Sequence, residues 1–88
     1  RVDVLEPSNS VTRELILVKI KTTPEQRQQV MAMTEIFRAN IVDVAKESVM
    51  IEITGSQSKL SAFLSLLEDY EILELVRTGI TGLARGIK

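Results

Sequence analysis

The sequence has no cysteine and no histidine. Without cysteine there is no disulfide, no thiolate nucleophile and no cysteine-based metal site. Without histidine the usual general base and the commonest transition-metal ligand are missing, so most catalytic schemes are excluded. The formal net charge is −1, which gives no electrostatic reason to expect nucleic acid or an anionic membrane surface as a partner. No apolar run approaches the ~18 residues of a membrane span. The first ten residues, RVDVLEPSNS, lack the apolar centre of a signal peptide, and the expectation is an intracellular chain. What is present is ordinary globular material, 44% hydrophobic and 26% charged over 88 residues. That is one domain, burying roughly 60% of its unfolded surface, a size at which a partner adds useful stability. The chain begins at Arg1 rather than Met, as a piece of a longer protein would.

The stretch from Glu35 to Gly55 joins the end of a helix to two strands, Ile41 to Val44 and Val49 to Ile53, about Lys46-Glu47-Ser48. Phe37 stands as the last large residue of the helical face, and Asn40 is expected to end the helix. Upstream, Glu14 to Lys21 is apolar on both sides of a strand, Leu15 and Leu17 on one face and Ile16, Val18 and Ile20 on the other, which places it inside a sheet. Thr23-Pro24 with Gln26 reads as a helix start, with a capping threonine, proline at the first position and glutamine closing the box. Val30, Met33, Thr34 and Phe37 recur at helical spacing, and Met31 and Ile36 are expected to widen that stripe. Ser56 is the expected cap of a second helix running to Tyr70, with the stripe Leu60, Phe63, Leu64 and Leu67. Glu71 to Arg77 is the last strand.

The order β-α-β-β-α-β predicts an α+β, ferredoxin-like sandwich, a four-stranded antiparallel sheet with two helices on one face. Right-handed crossovers put the first and third strands in the middle and the second and fourth at the edges. If helices cover Ile16, Val18, Ile20, Val49, Ile51, Ile53, Leu73 and Leu75, the opposite face still shows Leu15, Leu17, Ile41, Met50, Ile72 and Val76. A contiguous apolar patch of that extent calls for a covering partner, either a second copy or a neighbouring domain. The domain itself is expected over residues 11–79. Residues 1–10 read as the end of a preceding unit and a linker, and 80–88 as a tail.

Four segments in order carry a resemblance: Arg13-Glu14-Leu15-Ile16-Leu17-Val18-Lys19, Ile36-Phe37-Arg38-Ala39 with Ile41-Val42-Asp43, Glu52-Ile53-Thr54-Gly55, and Arg77-Thr78-Gly79. Together they resemble the C-terminal, ACT-like domain of the regulatory small subunit of acetolactate synthase, the enzyme also called acetohydroxyacid synthase. The resemblance implies a non-catalytic chain with no cofactor of its own, working in branched-chain amino-acid biosynthesis. It implies association, as a homodimer or higher oligomer, with a separate large subunit that carries thiamine diphosphate, Mg and FAD. It also implies relay of feedback inhibition, typically by valine, from paired N-terminal ACT domains that this chain lacks. Arg1 to Leu5 would be the closing strand of such a domain. The implied compartment is the cytoplasm in a bacterium and the plastid or mitochondrion in a eukaryote. Three positions depart from the family pattern: Glu71 where glycine is usual, Thr12 where an acid is common, and Met50 where threonine is common.

The candidate interface comprises Leu15, Leu17, Arg38, Ile41, Asp43, Met50, Arg77 and Thr78; no catalytic, cofactor-binding or metal-binding residue is expected. Arg38 also suits a helix C-terminus as a cation, Asp43 has the alternative of a solvated carboxylate, and Arg77-Thr78-Gly79 that of a turn before a loose tail. The glycines of TGITGLARG lack the Lys-Ser/Thr of a phosphate loop, and Glu68 and Asp69, adjacent at a helix end, diverge rather than pair. Three other function classes compete. An RNA-binding module of this topology would need aromatic residues where Leu15, Leu17, Met50 and Glu52 stand. A stand-alone ACT-like sensor of amino acids would show heat on titration with valine, leucine or isoleucine. An enzyme would need a convergent polar set.

Overall fold

The computed structural model describes residues 10–79 and 81–84. Its elements are β1 (Ser10–Lys21), α1 (Pro24–Ile36), β2 (Asn40–Val44), β3 (Ser48–Gly55), α2 (Gln57–Leu66) with a 3-10 turn over Leu67–Asp69, β4 (Glu71–Arg77) and β5 (Thr81–Ala84). The strands form an antiparallel sheet in the order β2-β3-β1-β4. With its two helices this is the ferredoxin-like arrangement, and β1 and β3 are central, as the crossover rule requires. Of residues 1–10, expected to form the end of a preceding unit and a linker, 1–9 lie outside the described residues and Ser10 already belongs to β1; 80 and 85–88 of the expected tail also lie outside them.

Local chemistry sets the helix ends. At α1 the Thr23 hydroxyl accepts from the Gln26 amide at 3.3 Å while the Gln26 side chain accepts from the Thr23 amide at 2.9 Å, a complete capping box ahead of Pro24. Ser56 caps α2 through the Lys59 amide. At the far end of α1, the chain turns at Arg38, not at Asn40, which already belongs to β2. Arg38 has φ +54°, the one positive φ outside glycine among the described residues. Its amide donates to the Glu35 carbonyl and that of Ala39 to Thr34, the paired bonds of a Schellman ending. No left-handed residue is needed after α2, where the 3-10 turn closes with the Tyr70 amide on the Leu67 carbonyl. Glu71 in place of the usual glycine is therefore without cost.

Between helices and sheet lie Ile16, Val18, Ile20, Val30, Val49, Ile51, Ile53, Leu60, Phe63 and Leu67, all buried. Each is worth roughly 1.5–3 kcal/mol against exposure. Phe37 and Phe63 meet edge to face with ring centroids 5.3 Å apart, joining the two helices. The buried stripe of α1 is narrower than expected, because Met31 and Ile36 face solvent at 52% and 75% exposure.

Two register shifts alter the predicted faces. In β2 the pairing passes from Ile41↔Ile51 to Asp43↔Met50, leaving Val42 as a bulge. Ile41 therefore sits on the helix side, packed against the core. In β4 the pairing passes from Lys19↔Glu74 to Ile20↔Ile72, and Leu73 is the extra residue. Ile72 thereby joins the helix-side row of Ile20. One bulge changes the parity of every residue beyond it, so neither Ile41 nor Ile72 belongs to the open face.

Beyond Arg77 the chain continues. β5 pairs with the first four residues of β1, from Arg13↔Thr81 to Ser10↔Ala84, so β4 and β5 together flank all of β1. Gly79, with φ +83°, makes the kink between them.

Candidate functional site

No helix covers the other face of the sheet. By strand pairing it presents Leu15, Leu17 and Lys19 from β1, Met50 and Glu52 from β3, Asp43 from β2, and Glu74 and Val76 from β4. Leu15, Leu17 and Met50 are half-buried there, and Val76 is 56% exposed. The apolar patch is thus four side chains rather than six. A depression of about 140 Å³ opens among Leu17, Lys19, Met50, Glu74 and Val76.

Charges of both signs border the patch. Lys19 Nζ donates to Glu74 Oε1 at 2.8 Å. That hydrogen bond holds the Glu74 carboxyl below its ordinary pKa and raises that of the Lys19 ammonium, to which the Asp43 carboxylate also contributes. The result is an apolar centre rimmed by a paired lysine and carboxylates, a composition that suits association between proteins rather than a small-molecule pocket.

Arg77 and Thr78 have other partners. The Arg77 guanidinium grips Glu14 with two bonds, Nη2 to Oε1 at 2.7 Å and Nε to Oε2 at 3.3 Å. Glu14 is buried at the end of the row Glu14, Ile16, Val18, Ile20. The Arg77 bond, with a further one from the Gly79 amide, draws its carboxyl below the ordinary range despite burial. Thr78 closes the ladder, its amide donating to the Leu15 carbonyl at 3.0 Å and its hydroxyl accepting from the Leu15 amide at 3.1 Å. Together these two residues lock β4 to β1 at the point where β5 departs.

Of the sequence-predicted residues, Leu15, Leu17, Asp43 and Met50 share the open face, while Arg38 is exposed at the α1–β2 corner and Ile41 lies beneath α1. The sequence reading does not single out Glu14, Lys19 and Glu74, although strict alternation puts the Glu14 acid in the buried row.

At the opposite end of the sheet, Arg27 reaches from α1 to the carbonyls of Ala45 and Lys46. Beside it a depression of about 280 Å³ is lined by Lys21, Thr22, Thr23, Glu47, Asp69 and Tyr70 among others. The Tyr70 hydroxyl donates to Gln29 at 3.0 Å. Among the described residues no group of three or more acidic side chains is placed to hold a metal ion.

Comparison with known proteins gives a consistent match. The family model described as the small subunit of acetolactate synthase, in its C-terminal part, matches residues 13–86. The probable acetolactate synthase small subunit of Archaeoglobus fulgidus is 48% identical over 80 residues, covering 91% of this chain and 50% of that protein. The acetolactate synthase small subunit of Bacillus subtilis is 42% identical over 76 residues, covering 86% of this chain and 44% of that one. The crystal structure of the acetolactate synthase small subunit from Thermotoga maritima superposes with a TM-score of 0.84 at 41% identity, covering 93% of this chain and 50% of that chain. The chain spans about half the length of the curated relatives it matches.

Proposed function

From the premise that the chain belongs to the C-terminal part of the acetolactate synthase small-subunit family, we propose that it is a non-catalytic association and relay domain. It docks on the large, catalytic subunit and passes on feedback inhibition by valine sensed elsewhere in the small subunit. The supporting observation is the open sheet face, where Leu15, Leu17, Met50 and Val76 lie uncovered within a rim formed by Lys19, Glu74 and Asp43. Interfaces between separately folded subunits have this make-up, an apolar centre with polar edges. The continuous strand β1 gives the relay a physical route. Its first four residues pair with β5 and its last eight form the centre of the sheet, so displacement at one end is felt as register strain at the other.

Reconstitution tests the reading. Purified large subunit is mixed with this chain, with the full-length small subunit, and with full-length protein carrying Leu17→Asp; acetolactate formation is followed with and without valine. The expected outcome is that the chain co-elutes with the large subunit or competes with full-length protein, and that Leu17→Asp lowers activation by at least about tenfold while circular dichroism is unchanged. Loss of a buried apolar anchor at an interface costs more than 1.4 kcal/mol, which is tenfold. Full activation by the variant, together with failure of the chain to bind, would refute the docking role. Heat on titrating valine into the chain alone would move the sensor reading ahead.

A further inference from the structure

On the helix side of the sheet, between α1 and the edge strand β2, lies an aliphatic pocket of about 250 Å³. It is lined by Arg27, Val30 and Met31 from α1, Ile41 and Val44 from β2, and Val49 from β3. The bulge at Val42 creates it. Pairing of Ile41 with Ile51 and of Val44 with Val49 turns both β2 residues toward α1. Met31 and Val44, 52% and 54% exposed, form the mouth. Every lining side chain but one is hydrophobic.

The exception is Arg27. Its Nη2 donates to the carbonyls of Ala45 and Lys46, which fixes the guanidinium against the turn between β2 and β3. Both acceptors are neutral, and among the described residues no carboxylate pairs with this cation. Its Nε–H is buried and has no acceptor at all. A buried donor left unpaired is costly, and a guanidinium bonds a carboxylate more strongly than it bonds a neutral oxygen. An ammonium group, by contrast, would find no acidic side chain among the lining residues.

We propose that this pocket binds a small aliphatic monocarboxylate, with its chain among Val30, Met31, Ile41, Val44 and Val49 and its carboxylate on Arg27. Pockets for drug-sized ligands run from about 300 to 1,000 Å³, so this one takes a short chain. The site lies on the side of the sheet away from the open face, and it stands or falls independently of docking there.

Pentanoate is the probe, with pentylamine and acetate as controls, each titrated into the isotope-labelled chain while amide shifts are followed. Pentanoate should give saturable shifts centred on Val30, Met31, Ile41, Val44 and Val49. Acetate, lacking the apolar chain, should bind at least about tenfold more weakly, and pentylamine should not bind. Arg27→Gln should weaken pentanoate at least about tenfold. Because that change can loosen the turn that Arg27 holds, Val44→Phe, which narrows the mouth from a half-exposed position, provides a second reading and should weaken binding as much. Absence of pentanoate shifts at every concentration reached, shifts centred elsewhere, or affinity unchanged in both variants overturns the proposal. Equal binding of pentylamine also overturns it, since the pocket would then accept any apolar group, a partner's side chain included. Equal binding of acetate overturns it as well, by reducing the site to a surface anion contact.

Discussion

Two residues combine local cost with tertiary purpose. Glu14 is a buried acid held ionised by Arg77 and the Gly79 amide. Its pKa is depressed in the folded chain, so the unfolded chain binds more protons at acid pH. The stabilisation is therefore complete above the unfolded glutamate value, about 4.3, and is lost as pH falls through the lower folded value. Glu74, depressed by Lys19, acts in the same direction. Glu14→Gln should lower the urea midpoint at pH 7 and make the loss of stability between pH 5 and about pH 3 shallower, as followed by circular dichroism. Arg38 is the other case. A left-handed backbone at a residue with a Cβ costs about 1 kcal/mol, and glycine would relieve it. Arg38→Gly should raise stability by up to about that amount in urea denaturation. If the exposed guanidinium serves an interface, the same variant should bind the large subunit less well.

Among the elements, helices and central strands were legible and edges were not. The capping box at Thr23, the cap at Ser56, the stripe Leu60-Phe63-Leu67 and the two-sided apolarity of β1 are local signals, and each element formed where they stood. Alternation puts Ile41 and Ile72 on the open face, but each lies beyond a bulge and sits on the helix side. A bulge is fixed by how two strands mate, and a single strand's alternation does not reveal it. β5 has no local signal, because its pairing with Ser10–Arg13 spans about seventy positions, whereas the glycines of TGITG read locally as punctuation. Gly79 is the hinge of that element. A Cβ there would touch nothing within 4 Å, so Gly79→Ala tests conformation alone. It should cost about 1 kcal/mol and speed amide exchange along β5 more than along β3.

For the whole molecule, the question is what covers the surfaces that a domain of this size leaves open. The open face carries four apolar side chains instead of six, and β4 adds three more exposed ones, Ile72, Leu73 and Leu75. Such a domain gains stability from association by mass action. On the docking role proposed above, adding purified large subunit should raise the thermal midpoint of the chain measured by calorimetry, and Leu17→Asp should abolish that rise.

Local sequence alone determined the order of the first four strands and the two helices, the helix caps and most of the core, because these depend on periodicity and on hydrogen bonds between near neighbours, and the handedness of the crossovers then put β1 and β3 in the centre. The tertiary structure decided which side chains remain outside. Bulges moved Ile41 and Ile72 to the helix side, Glu14 drew Arg77 into the fold, and two helices too narrow for four strands left β4 bare. Each of these outcomes depends on the mating of segments far apart in the chain, and no local pattern encodes the register in which they meet.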